Sequence, residues 1–181
     1  MKPNNEIMGN QNLIEIINRL KNEDDRYAAL SKRIQIVYWI LIPIFIILII
    51  HQIVIKNPVV DTIGSICFLF AILIFALFFK HYYKEYKYVD YSQPTLVMLK
   101  KAASRYKPFT LKTLWILLAV ILIDAGLSLN TSLGFEFISV QVYFLGAIVL
   151  ATIIGLLFWR VRYKPLRDTA LYLIREINGE N

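Results

Sequence analysis

The chain alternates between long apolar blocks and shorter segments that are rich in charge. Four blocks are long enough to cross a bilayer, because roughly 30 Å of hydrocarbon takes about 20 apolar residues in a helix. They cover residues 34–55, 59–79, 111–129 and 135–159. Short connections join the first block to the second and the third to the fourth. The pattern therefore predicts two transmembrane hairpins.

Each charged segment also carries a helical signal, since its apolar residues recur every three or four positions. One helix is expected over residues 11–31, a second from a cap at Ser92 to Pro108, and a third after Pro165. Each is too short to bury its apolar stripe alone and must lie on the membrane, another helix or a partner. The three stripes are Leu13, Ile16, Ile17, Leu20 and Tyr27; Leu96, Leu99, Ala103 and Tyr106; and Leu166, Ala170, Leu173, Ile174 and Ile177.

The predicted fold class is an all-α integral membrane protein with four transmembrane helices, in two hairpins, plus cytoplasmic amphipathic helices. Composition agrees, because 57% of the residues are hydrophobic against roughly 45–50% in soluble domains. The predicted division is an N-terminal helix at 1–33, a first hairpin at 34–79, a central cytoplasmic segment at 80–110, a second hairpin at 111–159 and a C-terminal helix at 160–181.

The basic residues predict the orientation of the spans. Of the 20 Lys and Arg residues, only Lys56 lies in a connection on the opposite side, and Lys112 lies at the entry of the third span. Basic residues collect on the cytoplasmic side of spans, so both termini are expected in the cytoplasm. The abundance of Ile, Lys, Asn and Tyr is typical of an AT-rich bacterial genome. We therefore expect a multi-pass protein of the bacterial cytoplasmic membrane, in contact with anionic head groups.

Residues 80–88 interleave Lys with Tyr directly after the second span. Basic and aromatic residues in alternation are one way to bind nucleic acid, through phosphate charge and base stacking. Because the stretch is joined to a span, the favoured interpretation is a helix that continues past the lipid surface, with Lys at the head groups and Tyr at the interface. Nucleic acid is not an expected partner.

Three polar residues inside the spans form the candidate ligand or proton site. Asp124, His51 and Gln141 all fall in the outer third of the predicted membrane. Ionisable residues inside a bilayer are costly, so each is a candidate for function. One hypothesis is a proton-titrating or cation-binding site formed by Asp124 with His51 or Gln141. The competing interpretation is polar packing between helices.

Small residues recur every four positions on the fourth span, at Ala147, Ala151 and Gly155. Such a stripe lets another helix approach closely. It predicts a packing surface, either within the chain or between copies in a homo-oligomer.

No catalytic set is recognisable in the sequence. It contains no nucleophile elbow, zinc-binding helix motif or glycine-rich phosphate loop, and its single Cys67 excludes a cysteine pair. The acidic run Glu23-Asp24-Asp25 lacks the spacing of a calcium loop and is interpreted as a solvated helix face. We therefore expect no enzyme activity, no metal and no cofactor.

Two functions remain open. The first is a non-enzymatic membrane protein whose cytoplasmic helices form an anchor or interaction platform for a cytoplasmic partner. The alternative is a small oligomeric pore, channel or transporter with a polar site around Asp124.

Overall fold

A computed structural model describes residues 4–108, 110–130 and 136–179, with side chains from residue 14 onward. Helices account for 88% of the structure, and the described ranges contain no strand. The elements in chain order are α1 (Asn4–Val54), α2 (Val59–Lys87), α3 (Thr95–Arg105), α4 (Thr113–Leu129), α5 (Phe137–Phe158), a π-helical turn (Trp159–Tyr163) and α6 (Lys164–Asn178). The side chain of Leu13 and most of the predicted second hairpin turn lie outside the described residues.

Three helical stretches are long and apolar enough to cross a membrane. They are Ile14–Val54, Val59–Lys87 and Phe137–Asn178, the last of which includes the π-helical turn and α6. The apolar helix α4 is shorter, at 17 residues. The predicted all-helical fold is confirmed, with three helices that could span a membrane; the fourth span and the amphipathic helices stay predictions.

The first predicted helix and the first predicted span form a single helix, α1, of 51 residues. No Gly or Pro lies between residues 10 and 42, so nothing in the sequence ends the helix where its polar part meets its apolar part. After α1 the chain turns at Lys56, whose φ of 56° is the left-handed conformation common at helix ends. Asn57 and Pro58 complete the turn, and the Pro58 carbonyl accepts the N–H of Asp61 at 3.1 Å.

The chain divides into two compact units. Unit 1 consists of Met1–Leu30, Tyr82–Lys107 and Phe158–Asn181. Unit 2 consists of Ser31–His81 and Pro108–Leu157. Unit 1 is therefore built from three segments that are far apart in sequence, and unit 2 contains the apolar stretches between them.

Unit 1 has a hydrophobic core of its own. Helix α3 packs against α6, and the π-helical turn leads directly into α6. Gly179 directly follows α6, and its φ of 71° needs the freedom of glycine and lets its N–H bond back to the last turn of the helix. The buried residues of this core are Leu20, Ala28, Tyr86, Met98, Leu99, Ala102, Ala103, Tyr106, Leu166 and Ala170.

The start of α3 differs from the predicted one. Ser92 is not the N-cap of α3. Pro94 occupies the N-cap position, and it forms no side-chain hydrogen bond to the first turn of the helix. Ser92 instead donates its backbone N–H and its hydroxyl to Asp90 Oδ1, at 2.9 and 2.6 Å. Asp90 therefore forms a local turn that competes with helix capping, as Asp often does.

In unit 2, α2 and α4 approach each other closely at two glycines. A Cβ atom built on Gly64 would lie 2.9 Å from the carbonyl oxygen of Gly126, and one built on Gly126 would lie 2.9 Å from that of Gly64. A real Cβ atom would clash with a carbonyl oxygen at 2.9 Å, so the two helices can approach this closely only with glycine at both positions. Helix α5, in contrast, has no buried residue.

Candidate functional site

A buried network of hydrogen bonds surrounds Asp24 in unit 1. The Asp24 side chain is only 2% exposed and accepts three hydrogen bonds. Tyr106 donates its hydroxyl to Oδ1 at 2.6 Å, Tyr91 donates its hydroxyl to Oδ2 at 2.6 Å, and Arg105 donates Nη2 to Oδ2 at 2.7 Å. A buried carboxylate is stable only when its oxygens have such partners. We call these four residues the Asp24 network.

The members of the Asp24 network come from three places in the chain. Asp24 lies on α1, Arg105 is the last residue of α3, and Tyr106 follows it directly. Tyr91 belongs to the loop between α2 and α3, and the turn at Asp90 holds that loop. The network therefore joins the N-terminal segment of unit 1 to its central segment.

Burial and charge act in opposite directions on Asp24. Burial raises the pKa of the Asp24 carboxyl, while the positive charge of Arg105 and the two tyrosine hydroxyls oppose that rise. Burial also raises the pKa of Tyr106 and of Tyr91, and the neighbouring carboxylate adds to both shifts. Both phenols therefore stay protonated at neutral pH and remain donors to Asp24.

A cluster of tyrosine rings surrounds this network. The ring of Tyr27 lies 4.3 Å from that of Tyr86 and 5.9 Å from that of Tyr163, between centroids. Tyr106 stacks on Tyr163 at 5.6 Å, and Tyr82 stacks on Tyr86 at 6.1 Å. Ring pairs at these distances contribute about 0.5–1.5 kcal/mol each beyond the burial of their surface. Burial raises the pKa of Tyr27 to about 12.

The cluster explains part of the basic and aromatic stretch that follows the second predicted span. Helix α2 continues through that stretch to Lys87, as the favoured interpretation expected. Tyr86 is buried, and Tyr82 packs against the core of unit 1. Tyr86 therefore packs inside unit 1 and is not open to stack on bases or to lie among lipid head groups, while Tyr82 is partly buried against the core.

The C-terminal segment of unit 1 is attached to the same place by polar contacts. Arg162 donates two hydrogen bonds to the carboxylate of Glu23, from Nε at 2.8 Å and from Nη2 at 3.1 Å. The two-point contact is the strong form of an arginine–carboxylate pair. Trp159 donates its indole N–H to the backbone carbonyl of Tyr106 at 2.9 Å. All three segments of unit 1 thus meet around residues 23 and 24.

The interpretation of Glu23-Asp24-Asp25 as a solvated face was wrong for Asp24. Asp24 is buried, and Glu23 is only partly exposed. Spacing carried the missed signal, because Asp24 lies four residues after Leu20 and four before Ala28, which are both buried. A carboxylate on the apolar face of a helix predicts a buried partner. Asp25, half-exposed, does face solvent.

In unit 2 the structure brings together two of the three residues of the candidate ligand or proton site. Gln141 donates its side-chain amide to Asp124 Oδ1 at 2.9 Å and to the hydroxyl of Ser128 at 2.8 Å. These bonds join α4 to α5. His51 is exposed and takes no part in these two bonds. Ser128 was not anticipated, although it lies one turn after Asp124 on the same helix face.

The small-residue stripe of α5 is exposed along its length. Ala147, Ala151 and Gly155 are all exposed, and a Cβ atom on Gly155 would meet nothing within 4 Å. Among the described residues this stripe therefore packs against no other helix of the chain. Self-association through the stripe stays a prediction.

Chemically, the Asp24 network is suited to holding helices together. Every Asp24 oxygen already has a donor, and the side chain is almost inaccessible, so a substrate has no atom to approach. Within the described part of the chain, no three His, Cys, Asp or Glu side chains are grouped so that they could hold a metal ion.

Comparisons of the chain with protein-family models, with curated proteins and with solved structures found no match.

Proposed function

We propose that the protein is a non-enzymatic multi-pass membrane protein in which four spans anchor unit 1 as a prefolded cytoplasmic platform for a protein partner. The observation that carries the proposal is the construction of unit 1. Three segments separated by apolar stretches fold around one core and one polar network. Three independent amphipathic helices would not need the buried Asp24 and its partners.

The compactness of unit 1 supports four crossings of the membrane. A single compact body lies on one side of a bilayer, so each apolar stretch between its segments must leave that side and return to it. The stretch 31–81 does so by α1 and α2, and the stretch 108–157 by α4 and α5. Helix α4 spans about 25 Å at about 1.5 Å per residue, and a local thinning of the bilayer accommodates a short span.

The distribution of charge supports a cytoplasmic location for unit 1. All Lys and Arg residues except Lys56, Lys32, Arg33, Lys80 and Lys112 belong to unit 1, and Lys56 alone lies in the connection between α1 and α2. Basic residues remain on the cytoplasmic side of bacterial membranes. We therefore place both termini in the cytoplasm, at a bacterial cytoplasmic membrane with anionic lipids.

The surface of unit 1 offers positions at which binding of a partner can be tested. Val97 on α3 and Tyr172 on α6 are 41% and 63% exposed, although the opposite faces of the same helices are buried. Both side chains are therefore accessible on the surface of unit 1, where a partner would bind. A photo-crosslinking residue at either position should give a discrete protein adduct in intact membranes.

The matched control is the same crosslinking residue at Lys56, outside unit 1. A second control is Leu99→Asp, which places a charge at a fully buried core position and should abolish the adduct from Tyr172. Equal adducts from Tyr172 and Lys56, or adducts that survive Leu99→Asp, would contradict the platform.

The bond from Gln141 to Asp124 favours a second candidate, a small oligomeric channel or transporter. In that function Asp124 would titrate or bind a cation, and α5 would line the contact between copies. Asp124→Asn should then abolish ion flux in reconstituted vesicles, while Glu136→Gln, at an exposed position next to α5, should leave it unchanged. Wild-type vesicles that pass no ions would exclude this candidate.

A further inference from the structure

Unit 2 contains a cavity of about 380 Å³ between α2 and α4. This volume falls within the range of roughly 300–1,000 Å³ that is usual for small-molecule sites. Six side chains form its walls: Ile74, Leu77, Phe78, His81, Lys112 and Trp115.

The lining side chains are sorted by polarity along the helices. On α2 they occupy one face, because positions 74, 77, 78 and 81 are spaced by three or four residues. Ile74 and His81 are about 10 Å apart along the axis, at about 1.5 Å per residue. On the other helix, Lys112 directly precedes α4 and Trp115 lies one turn into it. One end of the cavity is therefore apolar, and the other carries basic side chains.

We propose that this cavity binds one anionic phospholipid of the surrounding bilayer. Lys112 and His81 would meet the phosphate, and a stretch of acyl chain would lie along Ile74 and Phe78. Basic groups at the cytoplasmic end of transmembrane helices attract anionic head groups. The proposal rests on the proposed function, since it needs α2 and α4 to cross the membrane with unit 1 in the cytoplasm.

The walls of the cavity favour entry from the bilayer. Leu77 is 51% exposed and Trp115 is 60% exposed, so both walls face outward and an acyl chain can enter sideways. A tryptophan ring is also most stable at the depth of the head groups, where its apolar ring and its N–H are both accommodated. Trp115 therefore serves as a reporter that is part of the site.

The experiment measures quenching of Trp115 fluorescence by brominated lipids. The chain carries Trp39→Phe and Trp159→Phe, so that Trp115 is the only indole, and is reconstituted in vesicles of mixed lipid. Brominated phosphatidylglycerol is compared with brominated phosphatidylcholine at equal mole fractions. We expect half-maximal quenching at about a fivefold lower mole fraction of the anionic lipid, which is the factor that one basic residue at a membrane surface provides.

Two charge variants separate the cavity from the general surface potential. Lys112→Gln should remove the preference for the anionic lipid. Lys80→Gln removes one positive charge from an exposed residue that lies next to His81 but does not line the cavity. This variant should keep the preference for the anionic lipid. Trp39, kept as the only indole instead of Trp115, lies on α1 outside the cavity and should show no preference.

Each other outcome overturns a specific part of the proposal. Equal quenching of Trp115 by both lipids refutes the lipid site and leaves the membrane placement intact. Absence of quenching by either lipid refutes the membrane placement, and with it the proposed function. If the preference for the anionic lipid persists in Lys112→Gln, or if Trp39 shows it as well, it arises from the general charge of the membrane surface, and the lipid site is refuted.

Discussion

Replacement of Asp24 by alanine should destabilise unit 1 by about 3–5 kcal/mol. The Asp24 and Arg105 side chains are 2% and 11% exposed, so water cannot replace the lost carboxylate next to the guanidinium. Removal of one partner from a buried ion pair costs about 3–5 kcal/mol, because the other charge stays buried without compensation. The hydroxyls of Tyr91 and Tyr106 also lose their acceptor, which places the expected value in the upper part of this range.

Trp159 provides the assay. Its indole N–H is bonded to the backbone of Tyr106, so its fluorescence reports on the Asp24 network. With Trp39→Phe and Trp115→Phe in the background, urea unfolding in detergent micelles gives the free energy of unfolding of unit 1. The apolar helices stay in the micelle during this transition.

The neighbouring Asp25 offers a matched control. Its side chain is 52% exposed and meets Lys87 at 3.4 Å, so Asp25→Ala should change the free energy of unfolding by less than about 0.5 kcal/mol. The double variant Asp24→Ala/Arg105→Ala should lose less than the sum of the single variants, because no charge remains unpaired. Equal effects at Asp24 and Asp25, or additive effects at Asp24 and Arg105, would refute the reasoning.

Three further predictions concern the same two units. The pKa of Tyr27 is about 12 in the fold and about 10 in the unfolded chain. The stability that the buried Tyr27 phenol contributes is therefore complete below pH 10, and it is lost by about 1.4 kcal/mol per pH unit as the pH rises toward 12. Urea midpoints measured at increasing pH, alongside phenolate absorbance, check this. Gly126→Ala should destabilise the packing of α2 on α4 by about 1–3 kcal/mol in thermal unfolding. Gly146→Ala, where a methyl group meets nothing within 4 Å, should cause no loss and should stabilise α5 by up to about 1 kcal/mol. Arg162→Lys removes the two-point contact with Glu23 and should lower the free energy of unfolding by about 1 kcal/mol. Arg26→Ala should lower it by almost nothing, because Arg26 is 70% exposed and lies 3.8 Å from the same carboxylate.

Each of these has a plain contradicting result. A urea midpoint that stays constant above pH 10 would mean that the tyrosine rings are not buried together. Equal thermal effects at the two glycines would contradict the close approach of α2 and α4. Equal effects at Arg162 and Arg26 would contradict the two-point contact by which the C-terminal segment binds Glu23.

The helical elements were predictable because they depend on local spacing and composition. Apolar period and length identified the membrane-capable helices, and the same period identified most of the buried residues of α3 and α6, such as Leu99 and Ala170. The partners of these residues are hidden in a single sequence. Leu20, for example, packs in a core with residues more than 70 positions away.

The polar contacts were predictable only where burial could be inferred. Gln141 and Asp124 stood out because apolar residues surround both in sequence. Asp24 did not, since two acidic neighbours concealed its position on the buried helix face. The close approach at Gly64 and Gly126 was missed because the glycines lie on two helices, whereas the regular stripe of α5 drew attention and is exposed.

Cysteine accessibility tests the central claim most directly, namely that the three segments of unit 1 form one body on the cytoplasmic side. In a Cys67→Ser background, exposed positions in each segment are changed in turn, as Asn22→Cys, Lys100→Cys and Asp168→Cys, with Lys56→Cys in the opposite connection. The account predicts that a membrane-impermeant maleimide labels only Lys56→Cys in intact cells and labels the other three only after permeabilisation. Labelling of any unit 1 position in intact cells would contradict it.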